Sequence, residues 1–234
     1  WMWGRNLNGQ LGDFELTPQG QVNPQQTIIE GNTWSQISCG DYHTAVIQSD
    51  RSLWVWGYNS FGQLGNGYQG DVFTPEKLDE TYDWKFVNCG SNHTAAIKNS
   101  DSSLWLWGAN TEGQLGNSST DSKSSPIQIM NGSEWNMVAC GYAHTAAINA
   151  VTQELWVWGM NYYGQLGIGN TTGKSEPVLL ASGEKWSHVS CGTNSTAAIR
   201  ITGELYAWGG NTYGEVGNGK DNASSGSVLS PVQV

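Results

Sequence analysis

The sequence has little charge, and little of that charge is positive. Only 13% of the residues are charged, and ten Lys and Arg accompany twenty Asp and Glu, which gives a net charge of −10. Proteins that wrap nucleic acid need clustered cations to neutralise phosphates, so this balance argues against a nucleic-acid partner. An apolar run long enough to span a bilayer is also missing, and we expect no membrane insertion.

The usual sequence patterns of catalytic and metal sites are absent as well. The four cysteines, Cys39, Cys89, Cys140 and Cys191, are 50, 51 and 51 residues apart, and no Cys-x-x-Cys pair exists. Equivalent positions in separate units are poorly placed for disulfides, so we interpret these residues as buried, inert thiols. No Ser, His and acid group stands out, and no Gly-rich segment opens a helix. We therefore expect no catalytic residues, no metal and no cofactor.

Glycine and tryptophan are abundant, with 31 and 13 residues, and they occur in a repeated phrase. The phrase reads Trp-Met-Trp-Gly at 1–4, Trp-Val-Trp-Gly at 54–57, Trp-Leu-Trp-Gly at 105–108, Trp-Val-Trp-Gly at 156–159 and Tyr-Ala-Trp-Gly at 206–209. Each copy continues into Asn-x-x-Gly-Gln-Leu-Gly or a near copy, ending at Gly12, Gly65, Gly116, Gly167 and Gly217. A period near 50 residues is typical of a repeat architecture.

One unit of the repeat predicts four short strands. Trp84–Cys89, His93–Lys98 and Leu104–Trp107 form the first three, and Ile127–Met130 forms the fourth after Pro126. Four strands with frequent turns suit either a propeller blade or a pair of sandwich hairpins. Regular repetition favours the blade, because radial stacking protects strand edges. We predict an all-β propeller of four-stranded antiparallel blades, with about four and a half repeats in one array over residues 1–234.

The repeated side chains indicate how such blades would pack. Alanine pairs such as Ala95-Ala96 lie close to each Cys-Gly pair, and we expect these small residues where the blades converge on the axis. The second aromatic residue of each phrase would fill the wider space between blades. We therefore assign to the core Trp56, Trp107, Trp158 and Trp208.

These motifs resemble those of a known family. Cys-Gly-x-x-His-Thr-Ala-x-Ile, then Leu-Trp-x-Trp-Gly-x-Asn-x-x-Gly-Gln-Leu-Gly, then Pro stands here as Cys39–Ile47, Leu53–Gly65 and Pro75. The block is similar to the repeat of the regulator of chromosome condensation family, and its Trp-rich form looks more like bacterial and bacteriophage members than like the nuclear exchange factor. The resemblance implies a seven-bladed ring of about 350 residues. We therefore expect a fragment truncated at both ends, with missing blades or a partner covering its open ends.

Three histidines follow the repeated cysteines by four residues: His43, His93 and His144. Three imidazoles around an axis raise the hypothesis of a metal ring. The alternative is a structural role, in which each ring hydrogen-bonds backbone in its own or the adjacent blade. Ser195 holds this place in the fourth copy. We favour the structural role, because a hydroxyl can replace a structural hydrogen bond but not a zinc ligand.

Function on a repeat scaffold usually resides in positions that differ between copies. The turn after each Cys-Gly is such a position, and we expect these turns to crown one face beside the axis. The resulting candidate interaction face consists of Asp41, Tyr42, Ser91, Asn92, Tyr142, Thr193 and Asn194. In the nuclear member of the family, a face of this kind engages the small GTPase Ran through acidic residues, and only Asp41 matches that pattern. The loop after Gly-Gln-Leu-Gly forms a second variable surface.

Two functions remain after these observations. The favoured one is a non-catalytic structural or protein-interaction propeller, a module of a larger bacterial surface or virion-associated protein. Its partner would be another protein or a neighbouring subunit, and its location extracellular or on a virion rather than cytoplasmic or nuclear. The alternative is a guanine-nucleotide exchange factor or chromatin-associated propeller acting on a small GTPase.

Overall fold

In a computed structural model, the chain forms antiparallel sheets arranged as propeller blades. The structure describes residues 1–13, 20–25, 33–80, 83–219 and 226–234. Within these residues every regular element is a strand, and the strands form four four-stranded sheets and one two-stranded sheet. The predicted all-β architecture of four-stranded blades is confirmed. The described part of the chain holds no helix that could cross a membrane.

Consecutive strands pair antiparallel within each blade. The half-blade contains β1 Met2–Gly4 and β2 Gln21–Gln25. Blade 1 contains β3 Trp34–Cys39, β4 His43–Gln48, β5 Leu53–Gly57 and β6 Val72–Lys77. Blade 2 contains β7 Trp84–Cys89, β8 His93–Lys98, β9 Leu104–Gly108 and β10 Lys123–Ile129. Blade 3 contains β11 Trp135–Cys140, β12 His144–Asn149, β13 Leu155–Gly159 and β14 Lys174–Leu179. Blade 4 contains β15 Trp186–Cys191, β16 Ser195–Arg200, β17 Leu205–Gly210 and β18 Ser227–Gln233.

The fourth strand is longer than the sequence predicts. In blade 2 it begins at Lys123 rather than Ile127, because Lys123 pairs with Gly108 while Ile127 pairs with Leu106. Four residues on one strand thus match two on its partner, which marks an irregularity of the β-bulge type. The polar residues from Lys123 onward, which the sequence analysis left outside the strand, are therefore part of the sheet.

The first strands of the blades line the axis. β3, β7, β11 and β15 contact one another in sequence, and an axial cavity is bounded by residues of these four strands. The alanine pairs lie elsewhere than expected. Ala95 and Ala96 belong to the second strand, where both are fully buried between blades rather than at the axis.

The core is shared between neighbouring blades. In the contact between blades 1 and 2, one face of blade 1 supplies aliphatic side chains that include Ile47 and Leu53, and blade 2 supplies Trp84, Val87 and Trp107. The rings of Trp84 and Trp107 meet edge to face, with centroids 6.1 Å apart. Burying one such ring stabilises the fold by about 3 kcal/mol or less, so each contact between blades contributes several times that amount.

The last glycine of each Gly-Gln-Leu-Gly phrase makes this packing possible. Gly65 has φ +76°, and a Cβ there would lie 2.6 Å from Trp107 Nε1. Only glycine combines a left-handed conformation with such close approach. The turn of one repeat can therefore seat the tryptophan of the next.

Candidate functional site

The turns after the Cys-Gly pairs meet at one end of the axis. They surround a depression of about 230 Å³ whose rim includes Asp41, Ser91, Tyr142 and Thr193. Hydrogen bonds join these turns from blade to blade: the amides of Asp41, Ser91 and Tyr142 donate to the carbonyls of Ser91, Gly141 and Thr193. The Ser91 hydroxyl also donates to the Asp41 carboxylate. The inner turns therefore form a continuous crown.

The other residues of the candidate face lie beside this crown. Tyr42, Asn92 and Asn194 are half-buried, and Tyr142 is 49% exposed. The carbonyls of Tyr42, Asn92 and Asn194 accept from the amides of residues 58, 109 and 210, which begin the next turn outward. The inner turns thus adjoin a second, outer tier of turns.

Two repeated side chains hold each outer turn in shape, an Asn and a Gln that Glu215 replaces in blade 4. In blade 1, Asn59 Oδ1 accepts from the Leu64 amide and Gln63 Oε1 accepts from the Phe61 amide, both at 3.0 Å. Asn59 and Gln63 are fully buried. The side chains at the two positions between Asn and Gly are exposed or half-buried, so they are free to differ between repeats.

Aromatic residues occur in both tiers. Six of the nine tyrosines of the chain lie in these turns. We call the set the aromatic face, and it consists of Tyr42, Tyr58, Phe61, Tyr142, Tyr162, Tyr163 and Tyr213. Tyr58 contacts both Tyr42 and Phe61 edge to face, each with centroids 6.2 Å apart. Tyr213 is 91% exposed.

The repeated histidines bond to the following blade. His43 Nε2 lies 2.9 Å from Thr94 Oγ1, and Thr94 Oγ1 donates to the Gln63 carbonyl at 2.8 Å. That carbonyl also accepts from Trp107 Nε1 at 2.9 Å. Because the threonine proton goes to a carbonyl, His43 Nε2 must be the donor, and the ring is assigned as the Nε2–H tautomer. The partner is a threonine hydroxyl, not the backbone group expected from the sequence.

The same link recurs twice. His93 Nε2 lies 3.1 Å from Thr145 Oγ1, and His144 Nε2 lies 3.0 Å from Thr196 Oγ1. Each Nδ1 is buried without a hydrogen-bond partner. Burial lowers the pKa of His43 and of His144 to about 4. For His93, burial and then the neighbouring histidines lower the pKa to about 3. All three rings are therefore neutral near pH 7.

The described residues offer no metal centre. Among them, no group of three or more His, Cys, Asp or Glu is placed to hold an ion. The four cysteines are free, and the Cys89 and Cys140 thiols donate to the Ser38 and Asn88 carbonyls of the preceding blade. Burial raises the pKa of Cys89 to about 12. Cys39 is exposed rather than buried.

The outer tier of the aromatic face was not among the sequence-predicted site residues. Phe61, Tyr163 and Tyr213 occupy the position before the glycine of Asn-x-x-Gly, which the sequence analysis interpreted only as turn chemistry. Variation between copies at this position was the available signal. The second variable surface is the loop after Gly-Gln-Leu-Gly. Residues 14–19 and 26–32 of its first copy, 81–82 of its second and 220–225 of its last lie outside the described residues.

Comparison with known proteins identifies the scaffold. The model of the RCC1-like domain family matches residues 1–234. The chain is 35% identical over 204 residues to the ultraviolet-B receptor UVR8 of Arabidopsis thaliana, covering 84% of this chain and 46% of that protein. It is 33% identical over 182 residues to the probable E3 ubiquitin-protein ligase HERC4 of Mus musculus, covering 76% of this chain and 17% of that protein.

Solved structures agree with this assignment at the level of the fold. Human WBSCR16 superposes with a TM-score of 0.79 at 22% identity, covering 99% of this chain and 61% of that one. Prp20p of Saccharomyces cerevisiae, whose structure was described with its binding properties to Gsp1p and histones, superposes with a TM-score of 0.81 at 20% identity. That match covers 96% of this chain and 56% of Prp20p. The chain therefore belongs to the RCC1-like domain family, whose repeat its sequence resembles.

Proposed function

We propose that the chain is a non-catalytic protein-interaction propeller whose partner docks on the aromatic face. The observation that carries this proposal is the gathering, on one face, of turns that differ between repeats. Those turns expose tyrosines, which are enriched in protein interfaces because they offer large contact area at low entropic cost. The repeated Asn and Gln side chains hold the turns rigidly, so little ordering is needed when a partner binds.

A photocrosslinking experiment tests this function. The photoreactive residue p-benzoylphenylalanine replaces Tyr142 on the aromatic face or, as the matched control, Val151 on the opposite face, which is 72% exposed. Both variants are expressed as the full protein in its source cells. We expect a discrete crosslinked protein from position 142 and none from position 151. Equal crosslinking from the two positions, or none from 142, contradicts the proposal.

Guanine-nucleotide exchange is the second candidate function. The exposed carboxylate of Asp41 on the crown favours it, together with the likeness in fold to Prp20p, which was described with its binding to Gsp1p. A nucleotide-release assay with a panel of small GTPases tests it, using the full protein and its Asp41→Asn variant. Release that depends on Asp41 supports exchange, and failure across the panel contradicts it.

The cellular setting remains a prediction of its own. We predict a module of a larger bacterial surface or virion-associated protein, supported by the 13% content of charged residues and by the polar loops. Protease treatment of intact source cells or particles tests it. Cleavage of the propeller without lysis is expected, and complete protection until lysis would contradict an external location.

A further inference from the structure

The aromatic face contains one groove with a carboxylate in its wall. The groove has a volume of about 180 Å³ and lies between neighbouring blades. Phe61 of blade 1 and Tyr142 and Met160 of blade 3 line it, and Glu112 of blade 2 supplies the carboxylate. No Lys or Arg is among the groove-lining residues.

Glu112 stands where the other three complete blades place an aromatic ring, while the half-blade has Asn8. The position before the turn glycine is Phe61 in blade 1, Tyr163 in blade 3 and Tyr213 in blade 4. Glu112 is half-buried, and its hydrogen bond with Tyr162 raises the pKa of that tyrosine. A single negative charge on blade 2 is thus set between rings of the two neighbouring blades, Phe61 of blade 1 and Tyr142 of blade 3.

The chain's own cations do not neutralise this groove. Two ion pairs occur among the described residues, Lys77–Glu80 and Arg200–Glu184. Both involve residues at the ends of strands on the opposite face, and Glu112 belongs to neither. None of the other Lys and Arg among the described residues forms an ion pair with Glu112. The missing complement is a positive charge from outside the chain.

The same face already contains an arginine of the chain stacked on a tyrosine ring. The guanidinium of Arg5 lies over the Tyr42 ring, with its Cζ atom 4.9 Å from the ring centroid. A guanidinium is planar, stacks on aromatic rings and donates two parallel hydrogen bonds to a carboxylate, whereas an ammonium is a strongly hydrated point charge. Ring walls with a single carboxylate therefore fit arginine better than lysine.

We propose that this groove receives an arginine side chain of the partner protein, with Phe61 and Tyr142 as ring walls and Glu112 as the counter-ion. This inference rests on the proposed function and names the chemistry of the partner. The arginine is presented by a flexible or protruding segment, because the groove is recessed between two tiers of turns.

Peptide binding tests the proposal on the full protein. The probes are fluorescent (Arg-Gly-Gly)₄ and (Lys-Gly-Gly)₄, followed by fluorescence polarisation at physiological salt. We expect the lysine probe to bind about fivefold more weakly, which corresponds to about 1 kcal/mol. Glu112→Gln should weaken the arginine probe about tenfold, since it removes a charge-assisted pair. Tyr142→Leu should weaken it by a similar factor through loss of ring stacking.

The matched control is Glu134→Gln. Glu134 is exposed in a turn of the opposite face, and its substitution changes the net charge as much as Glu112→Gln does. We expect it to weaken binding less than twofold, because distant exposed charges are screened. Both glutamate variants should melt like the parent protein, since the Glu112 side chain lies outside the core.

Three outcomes would overturn the inference. Equal affinity for the two probes would show that only net charge is recognised. Equal weakening by Glu112→Gln and Glu134→Gln would show that the groove is not the site. Self-association without peptide that Glu112→Gln abolishes would make a second copy of the chain the occupant. If crosslinking from position 142 still captures a partner in any of these cases, the proposed function stands and only the arginine assignment fails.

Discussion

Trp3 and Trp56 occupy the same place in two copies of the repeat, yet their surroundings are opposite. Trp3, in the half-blade, is 60% exposed, whereas Trp56, in blade 1, is 1% exposed. Trp56 Nε1 donates to the Gln10 carbonyl, which belongs to the turn of the half-blade. The half-blade thus completes the core of blade 1, while no described residue does the same for Trp3.

Blade 4 shows the complementary difference on its outward face. Leu205 is 41% exposed, although its counterparts Leu53, Leu104 and Leu155 are at most 1% exposed. Each hydrophobic core of this protein is therefore formed by two neighbouring blades rather than by one. Each blade supplies one wall of two cores, and stability is a sum of nearest-neighbour contacts, as in other repeat proteins.

The largest effect is expected when the indole ring itself is removed. Trp107→Ala in blade 2 should cost about 3–5 kcal/mol of unfolding free energy, because a fully buried ring is deleted. In the chain of residues 1–234, where Trp3 is exposed, Trp3→Ala should change it by less than about 0.5 kcal/mol. Urea unfolding of both variants gives the two values. If Trp107→Ala prevents folding, Trp107→Phe replaces it and should still cost more than Trp3→Phe.

Acid should act on the interior blades through their buried histidines. Their pKa is near 6.5 when unfolded and is lowered to about 4 for His144 in the folded protein. The stability that the neutral ring provides is complete above about pH 6.5 and is lost as the pH falls from 6.5 towards 4, by about 3 kcal/mol for such a site. The measurement is urea unfolding between pH 7.5 and 4.5.

The variant His144→Ser gives blade 3 the residue that blade 4 already has. It should lower stability at pH 7.5, because the Thr196 hydroxyl loses its donor. It should also flatten the loss of stability between pH 6.5 and 4.5. An unchanged slope would mean that His144 does not titrate in the way described.

Adding a single methyl group at the last glycine of the Gly-Gln-Leu-Gly phrase tests the contact between that turn and the tryptophan of the next blade. Gly65→Ala would place Cβ 2.6 Å from Trp107 Nε1 in a left-handed backbone, and we expect a cost of about 2–3 kcal/mol. Gly217 has the same left-handed conformation at φ +71°, but a Cβ there would meet only Val234 Cγ1 at 3.4 Å. Gly217→Ala should therefore cost only the backbone strain, about 1–2 kcal/mol. Thermal unfolding of the two variants measures the difference, and equal costs would argue against the tryptophan seat.

The last pair of variants concerns the threonines. Thr94→Val leaves His43 Nε2 and one hydrogen bond of the Gln63 carbonyl without a partner, at a cost of about 1–3 kcal/mol. Thr44 also donates to a carbonyl, that of Gln10, at 2.9 Å, but no described histidine bonds to it. Thr44→Val should cost about 1 kcal/mol less than Thr94→Val. The difference is read from urea midpoints, and a reversed order would exclude a stabilising His43–Thr94 bond.

The sequence predicted the blades well because their signals are local. The alternation in Trp84–Cys89 and the turn glycines lie within one repeat, and the first two strands of blade 2 begin and end as expected. The partner of His43 could not be predicted, because Thr94 is brought to it only by the angle between two blades. The alanines lie close to the Cys-Gly turn in sequence, which predicts a position at the axis. They belong to the second strand of the blade, however, and only the first strand lines the axis.

The candidate site was predicted less completely, for a related reason. Asp41, Tyr142 and their counterparts were identified because they follow an obvious motif. Glu112 and Phe61 line the same groove only because the fold places the turns of neighbouring blades side by side. Turn chemistry alone explains why Asn110 and Gly113 are there, but it does not say what the residues between them face.

Hydrogen exchange of the tryptophan indole N–H groups, followed by NMR, tests the shared core most directly. In the interior, Trp56, Trp107, Trp158 and Trp208 each donate to a glutamine carbonyl of the preceding repeat. In the chain of residues 1–234, we predict strong protection of these four groups and exchange of the Trp3 indole at the rate of a free indole. Free exchange of any of the four, or protection of Trp3 equal to theirs in that same chain, would contradict the account.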